Sequence, residues 1–159
     1  MGSGKSSVAQ RIGELLRIAV IETDTLVLQR MGMRSMNEVF AVAGEEALRR
    51  TEGVIAQEIA SMNEGIISTG GGFVLHSAGS ASLKESGGQI FFLDASFRVI
   101  AQRLANDLSR PLFRDPVAAE FLYRHRRPIY LQCANYVIPT DERPLSDIAF
   151  DVIRIALQQ

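Results

Sequence analysis

The hydrophobic positions of this chain follow two alternating patterns. Some segments carry apolar residues at intervals of three and four, as expected for helices with one buried face. Others are short apolar runs, which are typical of strands buried in a parallel sheet. The predicted strands lie at 18–21, around 66–67, at 89–93 and at 136–138. The predicted helices begin near Lys5, follow Gly44 with apolar positions from 47 to 59, and lie at 99–104, 117–135 and 145–157. This alternation predicts an α/β layer fold.

Two segments interrupt the pattern. Residues 107–116 contain two prolines and mixed charges, which predicts a mobile loop. Pro128 falls inside the helical stretch 117–135, where its ring and missing N–H predict a kink or a break. No repeat, low-complexity stretch or linker is visible, so we expect a single domain over residues 1–159.

The composition narrows the class of protein. The chain has 159 residues, of which 47% are hydrophobic and 22% charged, as in ordinary globular proteins. Seventeen basic residues against 18 acidic ones argue against nucleic acid or an anionic membrane surface as a partner. No apolar run approaches the roughly 20 residues that would span a bilayer. The single cysteine, Cys133, favours the reducing cytoplasm, and we expect a monomer there.

The sharpest motif is a glycine-rich segment at the start of the first helix. Its residues are Gly2, Ser3, Gly4, Lys5, Ser6 and Ser7, the second half of a G-x-x-x-x-G-K-[ST] loop. Glycines let backbone N–H groups approach phosphate oxygens, and the helix points its positive end at the same anion. Lys5 can bridge the β- and γ-phosphates of ATP, while the Ser6 hydroxyl can bind Mg²⁺. The alternative is a glycine-rich tail or helix cap.

The beginning of this motif is missing from the numbering. Its first glycine would fall two positions before Met1, and the buried strand that normally precedes such a loop is absent. That strand is central in a doubly wound sheet. We therefore expect that the numbering starts at an internal methionine, with about 10 further residues upstream, the span of one short strand and the loop's beginning.

Further clusters of chemically distinctive residues occur downstream of the loop. They are Glu22-Thr23-Asp24, the stretch 44–52 (GEEALRRTE), Thr69-Gly70-Gly71-Gly72, Ser109-Arg110-Pro111-Leu112 and Arg126-Arg127-Pro128-Ile129-Tyr130. In this order and with the glycine-rich loop, they closely resemble the shikimate kinase family over essentially the whole chain. The resemblance implies a P-loop kinase three-layer fold with a parallel sheet, substrate-binding helices at about 25–62 and a lid at about 107–116. It also implies transfer of the ATP γ-phosphoryl group to the 3-hydroxyl of shikimate, in aromatic amino acid biosynthesis.

The resemblance assigns roles around the acceptor. Asp24 matches the family aspartate that contacts the substrate hydroxyls and is often assigned as the base. Arg49 and Arg126 match the two arginines that grip the shikimate carboxylate, and Glu52 matches the carboxylate that orients the first. The ring of shikimate packs against backbone matched by Gly70, Gly71 and Gly72. Arginine suits a carboxylate because its planar fork can donate two parallel hydrogen bonds.

Other matches lie on the nucleotide side. Arg110 matches the lid arginine that reaches the transferring phosphate, and Arg143, before Pro144, resembles the segment that packs on adenine. Glu22 stands where the family has an aspartate that holds Mg²⁺ through water. It is one methylene longer, which can shift the position of the ion.

Two rival functions remain open from the sequence. One is another small-acid kinase on the same scaffold, of the gluconate kinase type. The pair Arg49 and Arg126 together with the triple glycine argues against it. The other is a truncated or inactive nucleotide-binding module; the presence of Lys5, Asp24 and Arg110 argues for an enzyme.

Overall fold

The computed structural model describes residues 2–75, 77–105 and 115–158, in which strands alternate with helices. The elements are α1 (Lys5–Leu16), β1 (Val20–Glu22), α2 (Thr23–Met31), α3 (Met36–Glu38), a π-helical segment (Val39–Ala43), α4 (Gly44–Ala60), β2 (Ile66–Ser68), a 3₁₀ turn (Phe73–Leu75), α5 (Ser77–Glu85), β3 (Phe91–Asp94), α6 (Phe97–Leu104), α7 (Pro116–Cys133), β4 (Tyr136–Pro139) and α8 (Leu145–Ala156). The chain divides into two compact units. The first comprises Met1–Arg11 and Ile90–Gln159, and the second comprises Ile12–Gln89.

The first unit is built on the parallel pair β3 and β4. Phe91 lies opposite Tyr136, and Asp94 lies opposite Pro139. Its buried apolar side chains come from both strands, from the loop after β3 and from the helices: Val8, Ala9, Leu93, Ala95, Val99, Ile100, Leu104, Ala119, Ile138, Ile148, Ala149 and Val152. Because the strands are parallel, their carboxyl ends and the loops that follow lie at one edge, where α/β proteins place their ligands.

The second unit is built on the parallel pair β1 and β2. Val20 lies opposite Ile66, and Glu22 lies opposite Ser68. A cluster of buried side chains joins α2, α4 and the segments around them: Val27, Val39, Leu48, Ile55, Ala56, Ile59 and Phe73. The members of this cluster on α4, which are Leu48, Ile55, Ala56 and Ile59, recur at helical spacing. One face of the helix is therefore buried, and the other carries charged residues.

Most predicted elements are confirmed, with shifted ends. The first helix begins at Lys5 as predicted. The first strand begins at Val20 rather than 18, because the chain leaves α1 through Arg17 in a left-handed conformation with φ of 57°. The third strand begins at Phe91 rather than 89. The parallel α/β arrangement confirms the predicted fold class.

Two points of the prediction need correction: the chain at Pro128, and the segment between β2 and β3, where no helix was predicted. A break at Pro128 was wrong, because α7 continues through it from Pro116 to Cys133. The apolar pattern also did not reveal α5, whose residues 77–85 are mostly small or polar, with Leu83 as the one large apolar side chain. The described strands form two separate parallel pairs, and the described residues include no strand before α1.

Candidate active site

The glycine-rich loop lies in the first unit, directly before α1. Gly2 has φ of 67° and Gly4 has φ of 91°, a backbone conformation that favours glycine. Ser3, between them, is only 8% exposed. Lys5 is the first residue of α1, and the hydroxyl-bearing Ser6 follows on an exposed position of its first turn. The loop therefore presents the positive end of a helix together with a lysine and a hydroxyl, as phosphate binding requires.

Helix α6 supports the start of this loop. A Cβ at Gly2 would stand 2.9 Å from Leu104 Cδ1 and 3.0 Å from Ile100 Cγ2, so only glycine fits there without movement. Arg103 donates hydrogen bonds to the carbonyl oxygens of Gly2, at 3.4 Å, and of Thr140, at 3.1 Å. The sequence pattern did not mark Arg103, because it falls within an amphipathic helix where a basic residue is ordinarily solvent-exposed.

Arg143 is held within the first unit. Its guanidinium donates to the carbonyl oxygen of Pro139 at 3.1 Å and to Asp151 Oδ2 at 2.7 Å. The hydrogen bond from Arg143, followed by the one from Arg154, holds the pKa of Asp151 below its ordinary value. The predicted contact between this segment and adenine stays a prediction.

Two consecutive arginines on α7 have different surroundings. Arg127 donates from Nε to Asp94 Oδ1 at 3.0 Å and from Nη2 to Asp94 Oδ2 at 2.6 Å. Arg126, the predicted carboxylate ligand, is half-buried and makes no hydrogen bond or ion pair within the described part of the first unit. Its guanidinium therefore remains available for a ligand in this unit.

In the second unit, Asp24 lies against the triple-glycine loop. Asp24 is in the first turn of α2, whose preceding residue, Glu22, ends β1. Next to it, the buried Thr23 hydroxyl accepts a hydrogen bond from the Gly70 N–H at 2.8 Å. A Cβ on Gly70 would collide with Asp24 Oδ1. The carboxylate thus lies against bare backbone at the end of β2.

Arg49 approaches the same loop from α4. It donates from Nη1 to Glu52 at 2.7 Å and from Nη2 to Glu45 at 2.8 Å. Its side chain is 14% exposed and that of Glu52 is 8% exposed. Burial disfavours the charged guanidinium, but the hydrogen bonds to Glu52 and Glu45 outweigh it and hold the pKa of Arg49 above its ordinary value. A Cβ on Gly72 would collide with Arg49 Nη1.

One polar atom of Arg49 has no hydrogen-bond partner in the described part of the chain. Its Nε is buried and donates no hydrogen bond among the described residues. A buried donor without a partner costs about 1–3 kcal/mol, so this atom is suited to a hydrogen bond from outside the chain, to a ligand or to water. Within the second unit, the structure therefore brings Asp24, Arg49, Glu52 and the loop of Gly70, Gly71 and Gly72 into one cluster.

The remaining predicted residues are distributed as follows. The phosphate loop, Arg126 and Arg143 belong to the first unit, and Glu22 belongs to the second. Arg110 and nearly all of the predicted lid lie outside the described residues, although Asp115 and Pro116 cap and open α7. The described residues gather no group of three or more histidine, cysteine, aspartate or glutamate side chains that could hold a metal ion.

The glycine-rich loop of the first unit and the cluster around Asp24 and Arg49 of the second unit indicate a class of protein. A glycine-rich loop that ends in lysine and serine at a helix start, in a parallel α/β fold, is the phosphate site of P-loop kinases. A carboxylate and an arginine beside bare glycine backbone are suited to a small hydroxylated acid. A family model described as shikimate kinase matches residues 1–156. The chain belongs to the shikimate kinase family.

Individual relatives agree with this assignment. A shikimate kinase of Pseudomonas entomophila is 32% identical over 162 residues, which cover 100% of this chain and 92% of the relative. A shikimate kinase of Helicobacter hepaticus is 36% identical over 156 residues, which cover 96% of this chain and 89% of the relative. The predicted family and the predicted enzyme class are thereby confirmed.

Solved structures give the same picture. The structure of shikimate kinase from Acinetobacter baumannii in complex with shikimate matches with a TM-score of 0.89 at 27% identity, covering 99% of this chain and 89% of that one. A gluconokinase from Sinorhizobium meliloti matches with a TM-score of 0.59 at 20% identity over 99% of this chain and 90% of that one, which shows a shared fold only. No helix among the described residues is long and apolar enough to cross a membrane.

Proposed function

We propose that this chain transfers the γ-phosphoryl group of ATP to the 3-hydroxyl of shikimate, giving shikimate 3-phosphate and ADP. The shikimate hydroxyl oxygen forms a bond to the γ-phosphorus as the bond from that phosphorus to the β–γ bridging oxygen breaks. The hydroxyl proton leaves late, as expected for a loose transition state. The family match over residues 1–156 and the likeness to the Acinetobacter baumannii enzyme in complex with shikimate support this acceptor.

The observation that carries the proposal is the state of Arg49. Two of its nitrogens are already engaged by Glu52 and Glu45, which fix the guanidinium plane against the Gly72 backbone. The third, Nε, is buried without a protein partner among the described residues. An arginine that is held in one orientation and remains charged is suited to bind a carboxylate. Arg126 would supply a second guanidinium to the carboxylate of shikimate.

Asp24 is proposed to orient the reacting hydroxyl and to accept its proton. It lies at the start of α2, with its carboxylate directly against the bare backbone of Gly70. General bases of this kind contribute about 10²–10⁴-fold to the rate. The backbone of Gly71 and Gly72 is proposed to pack against the ring.

The nucleotide is proposed to bind at the loop of Gly2, Ser3, Gly4, Lys5, Ser6 and Ser7. The left-handed glycines and the start of α1 direct backbone N–H groups at phosphate oxygens. Lys5 would neutralise charge on the β- and γ-phosphates. Arg110 is proposed to reach the transferring phosphate, and Arg143 to lie near adenine.

Mg²⁺ is proposed to accompany the nucleotide. The Ser6 hydroxyl and the Glu22 carboxylate are hard oxygen donors, the type that Mg²⁺ prefers. Ser6 is exposed on the first turn of α1, and Glu22 is half-buried at the carboxyl end of β1. With Ser6 as a direct ligand and Glu22 acting through water, phosphate oxygens and water would complete the coordination. The ion would neutralise charge on the phosphates.

An ADP-release assay tests the proposed function directly. The purified chain is incubated with Mg²⁺ and ATP, and ADP is measured with shikimate, with gluconate and without acceptor. Release that depends on shikimate, with the phosphorylated acceptor identified by mass spectrometry, is expected. Release with gluconate but not with shikimate would favour the rival kinase, and nucleotide binding without any release would favour an inactive module.

The chain is proposed to be a monomer in the cytoplasm, and the single cysteine, Cys133, supports the location. Light scattering of the purified chain tests the first. Fractionation of the natural host, with detection by antibody, tests the second.

A further inference from the structure

The ion pair between Arg127 and Asp94 lies one residue away from the proposed carboxylate ligand Arg126. It is bidentate, with Nε donating to Oδ1 at 3.0 Å and Nη2 donating to Oδ2 at 2.6 Å. The side chains are 40% and 19% exposed, so the pair is partly screened by solvent. The hydrogen bond to Asp94 holds the pKa of Arg127 above its ordinary value. Two parallel hydrogen bonds restrict the orientation of a guanidinium more than a single contact does.

The strand end that accepts this pair is itself fixed. Asp94 is the last residue of β3 and lies opposite Pro139 of β4. Its carbonyl oxygen accepts a hydrogen bond from the Thr140 N–H at 2.9 Å. The carboxylate therefore stands on an anchored piece of main chain, and α7 is attached to that anchor through Arg127.

A second contact ties the same face of α7 to the same strand end. The hydroxyl of Tyr123 donates to the carbonyl oxygen of Ala95 at 3.1 Å. Tyr123 precedes Arg127 by four residues, so the two side chains share one helix face. Together they set the rotation of α7 about its axis. Arg126 is turned from Arg127 by about 100° around the helix, so its direction follows from that rotation.

Helix α7 needs such a support at this point. Pro128 lies inside the helix and has no N–H to donate to the carbonyl of Arg124. The ring of proline also disfavours helical geometry in the residue before it, which is Arg127. The backbone alone therefore holds the helix weakly beside Arg126.

We infer that Arg127 is a positioning residue, whose bidentate ion pair with Asp94 fixes the rotation of α7 and thereby directs Arg126 at the substrate carboxylate. This inference rests on the proposed function, because it assumes that Arg126 binds shikimate. It gives Arg127 no contact with substrate. The consequence is a selective effect on shikimate binding, with nucleotide binding left nearly unchanged.

The test compares KM values for the two substrates in Asp94→Asn and Arg127→Gln. Both variants are expected to raise the KM for shikimate roughly tenfold, because a small misplacement of a binding group is costly, and to leave the KM for ATP within about twofold. Arg124→Gln is the matched control on the same helix, since it removes an exposed ion pair with Glu120 at 2.7 Å. It is expected to keep both wild-type KM values.

A double variant and a stability measurement separate positioning from general damage. Asp94→Asn combined with Arg127→Gln should raise the KM for shikimate no further than either change alone, because both remove one interaction. Asp94→Asn keeps the shape of the side chain, and its thermal unfolding shows whether the fold persists. Wild-type KM values in both single variants, or equal rises in KM for shikimate and ATP, would overturn the inference.

The outcomes also distinguish this inference from the proposed function. If the unmodified chain releases no ADP with shikimate, the proposed function fails and the inference fails with it. If the unmodified chain is active and Arg126→Ala raises the KM for shikimate, while both single variants behave as wild type, only the role of Arg127 is rejected.

Discussion

Arg49 and Glu52 form a buried ion pair one helical turn apart, with Nη1 of Arg49 2.7 Å from Oε2 of Glu52. Their side chains are 14% and 8% exposed, in contrast to the neighbouring pair of Arg50 and Glu46, at 69% and 86%. The same helix thus carries one pair whose partners are largely hidden from water and one whose partners are largely exposed. The two pairs allow a direct comparison of their contributions.

Glu52→Gln is expected to destabilise the protein and to weaken shikimate binding. The change keeps the shape of the side chain but leaves the buried guanidinium with Glu45 as its only negative partner among the described residues. A hydrogen bond to a buried charge is worth about 1.5–3 kcal/mol, so we expect a loss of this size in the free energy of urea unfolding. The KM for shikimate should rise as well, because the plane of Arg49 is no longer fixed.

Glu46→Gln is the matched control for this experiment. It removes an exposed pair on the same helix, and such pairs contribute less than about 1 kcal/mol. Equal unfolding free energies for the two variants would contradict the view that the buried pair organises the site.

Gly72→Ala is expected to impair shikimate binding and to lower stability. The added methyl would meet Nη1 of Arg49, the end of the side chain that donates to Glu52. Movement of the guanidinium therefore strains this buried ion pair and removes the guanidinium from the position where it is proposed to bind the carboxylate. We expect the KM for shikimate to rise about tenfold or more, as for the loss of one charged hydrogen bond.

Gly53→Ala provides the comparison for that variant. Gly53 lies inside α4, and a Cβ there meets no atom within 4 Å. Alanine should stabilise the helix by roughly 0.5–1 kcal/mol and leave the KM unchanged. If both glycine variants raise the KM equally, the effect comes from a general disturbance of the site rather than from the contact of residue 72 with Arg49.

Asp24→Asn is expected to abolish turnover while leaving nucleotide affinity nearly intact. Asparagine keeps the size of the side chain but does not accept the hydroxyl proton, so kcat should fall by about 10²-fold or more. The measurement pairs kcat from ADP release with the dissociation constant of a fluorescent nucleotide. Turnover comparable to wild type would reject the role of Asp24.

The sequence predicted those parts of the site that depend on short spacings. Arg49 and Glu52 are three residues apart on a helix, and the loop from Gly2 to Ser7 is continuous, so their local geometry follows from helix and turn rules. The contact of Asp24 with Gly70 joins residues far apart in sequence. Periodicity alone does not predict it; the match to family motifs placed both residues in the acceptor site.

Two other features could not be predicted from the sequence, because they also depend on contacts between distant residues. Arg127 and Asp94 meet only because β3 and α7 are neighbours in the first unit, and their spacing in the sequence carries no signal. Pro128 predicted a kink or a break, but α7 continues through it, and contacts such as the hydrogen bond from Tyr123 to Ala95 hold the helix from outside. In α7, tertiary contacts therefore outweighed the local preference of the sequence.

Asp141 predicts a pH dependence of stability at acid pH. Hydrogen bonds from the side chain and backbone of Ser96 hold the pKa of Asp141 below its ordinary value of 3.8, and the charges of Arg103 and Arg98 act in the same direction. Because the folded pKa is depressed, the ionised carboxylate stabilises the fold above the unfolded value. This stabilisation is lost as pH falls through the folded pKa. Asp141→Asn should therefore lower the free energy of unfolding near neutral pH and flatten its decline between about pH 5 and pH 3.

Ser96→Ala tests the same interaction from the side of the serine. The Ser96 side chain accepts a hydrogen bond from the Val99 N–H at the start of α6, and loss of such a cap costs about 1 kcal/mol at every pH. Because the same side chain is the largest cause of the lowered pKa of Asp141, urea unfolding at several pH values should show a pH-dependent offset for Ser96→Ala, added to the constant loss of the cap, as well as the pH-dependent offset for Asp141→Asn. If the Asp141→Asn curve runs parallel to wild type down to pH 3, the carboxylate contributes through its shape rather than its charge, and the depressed pKa has no consequence for folding.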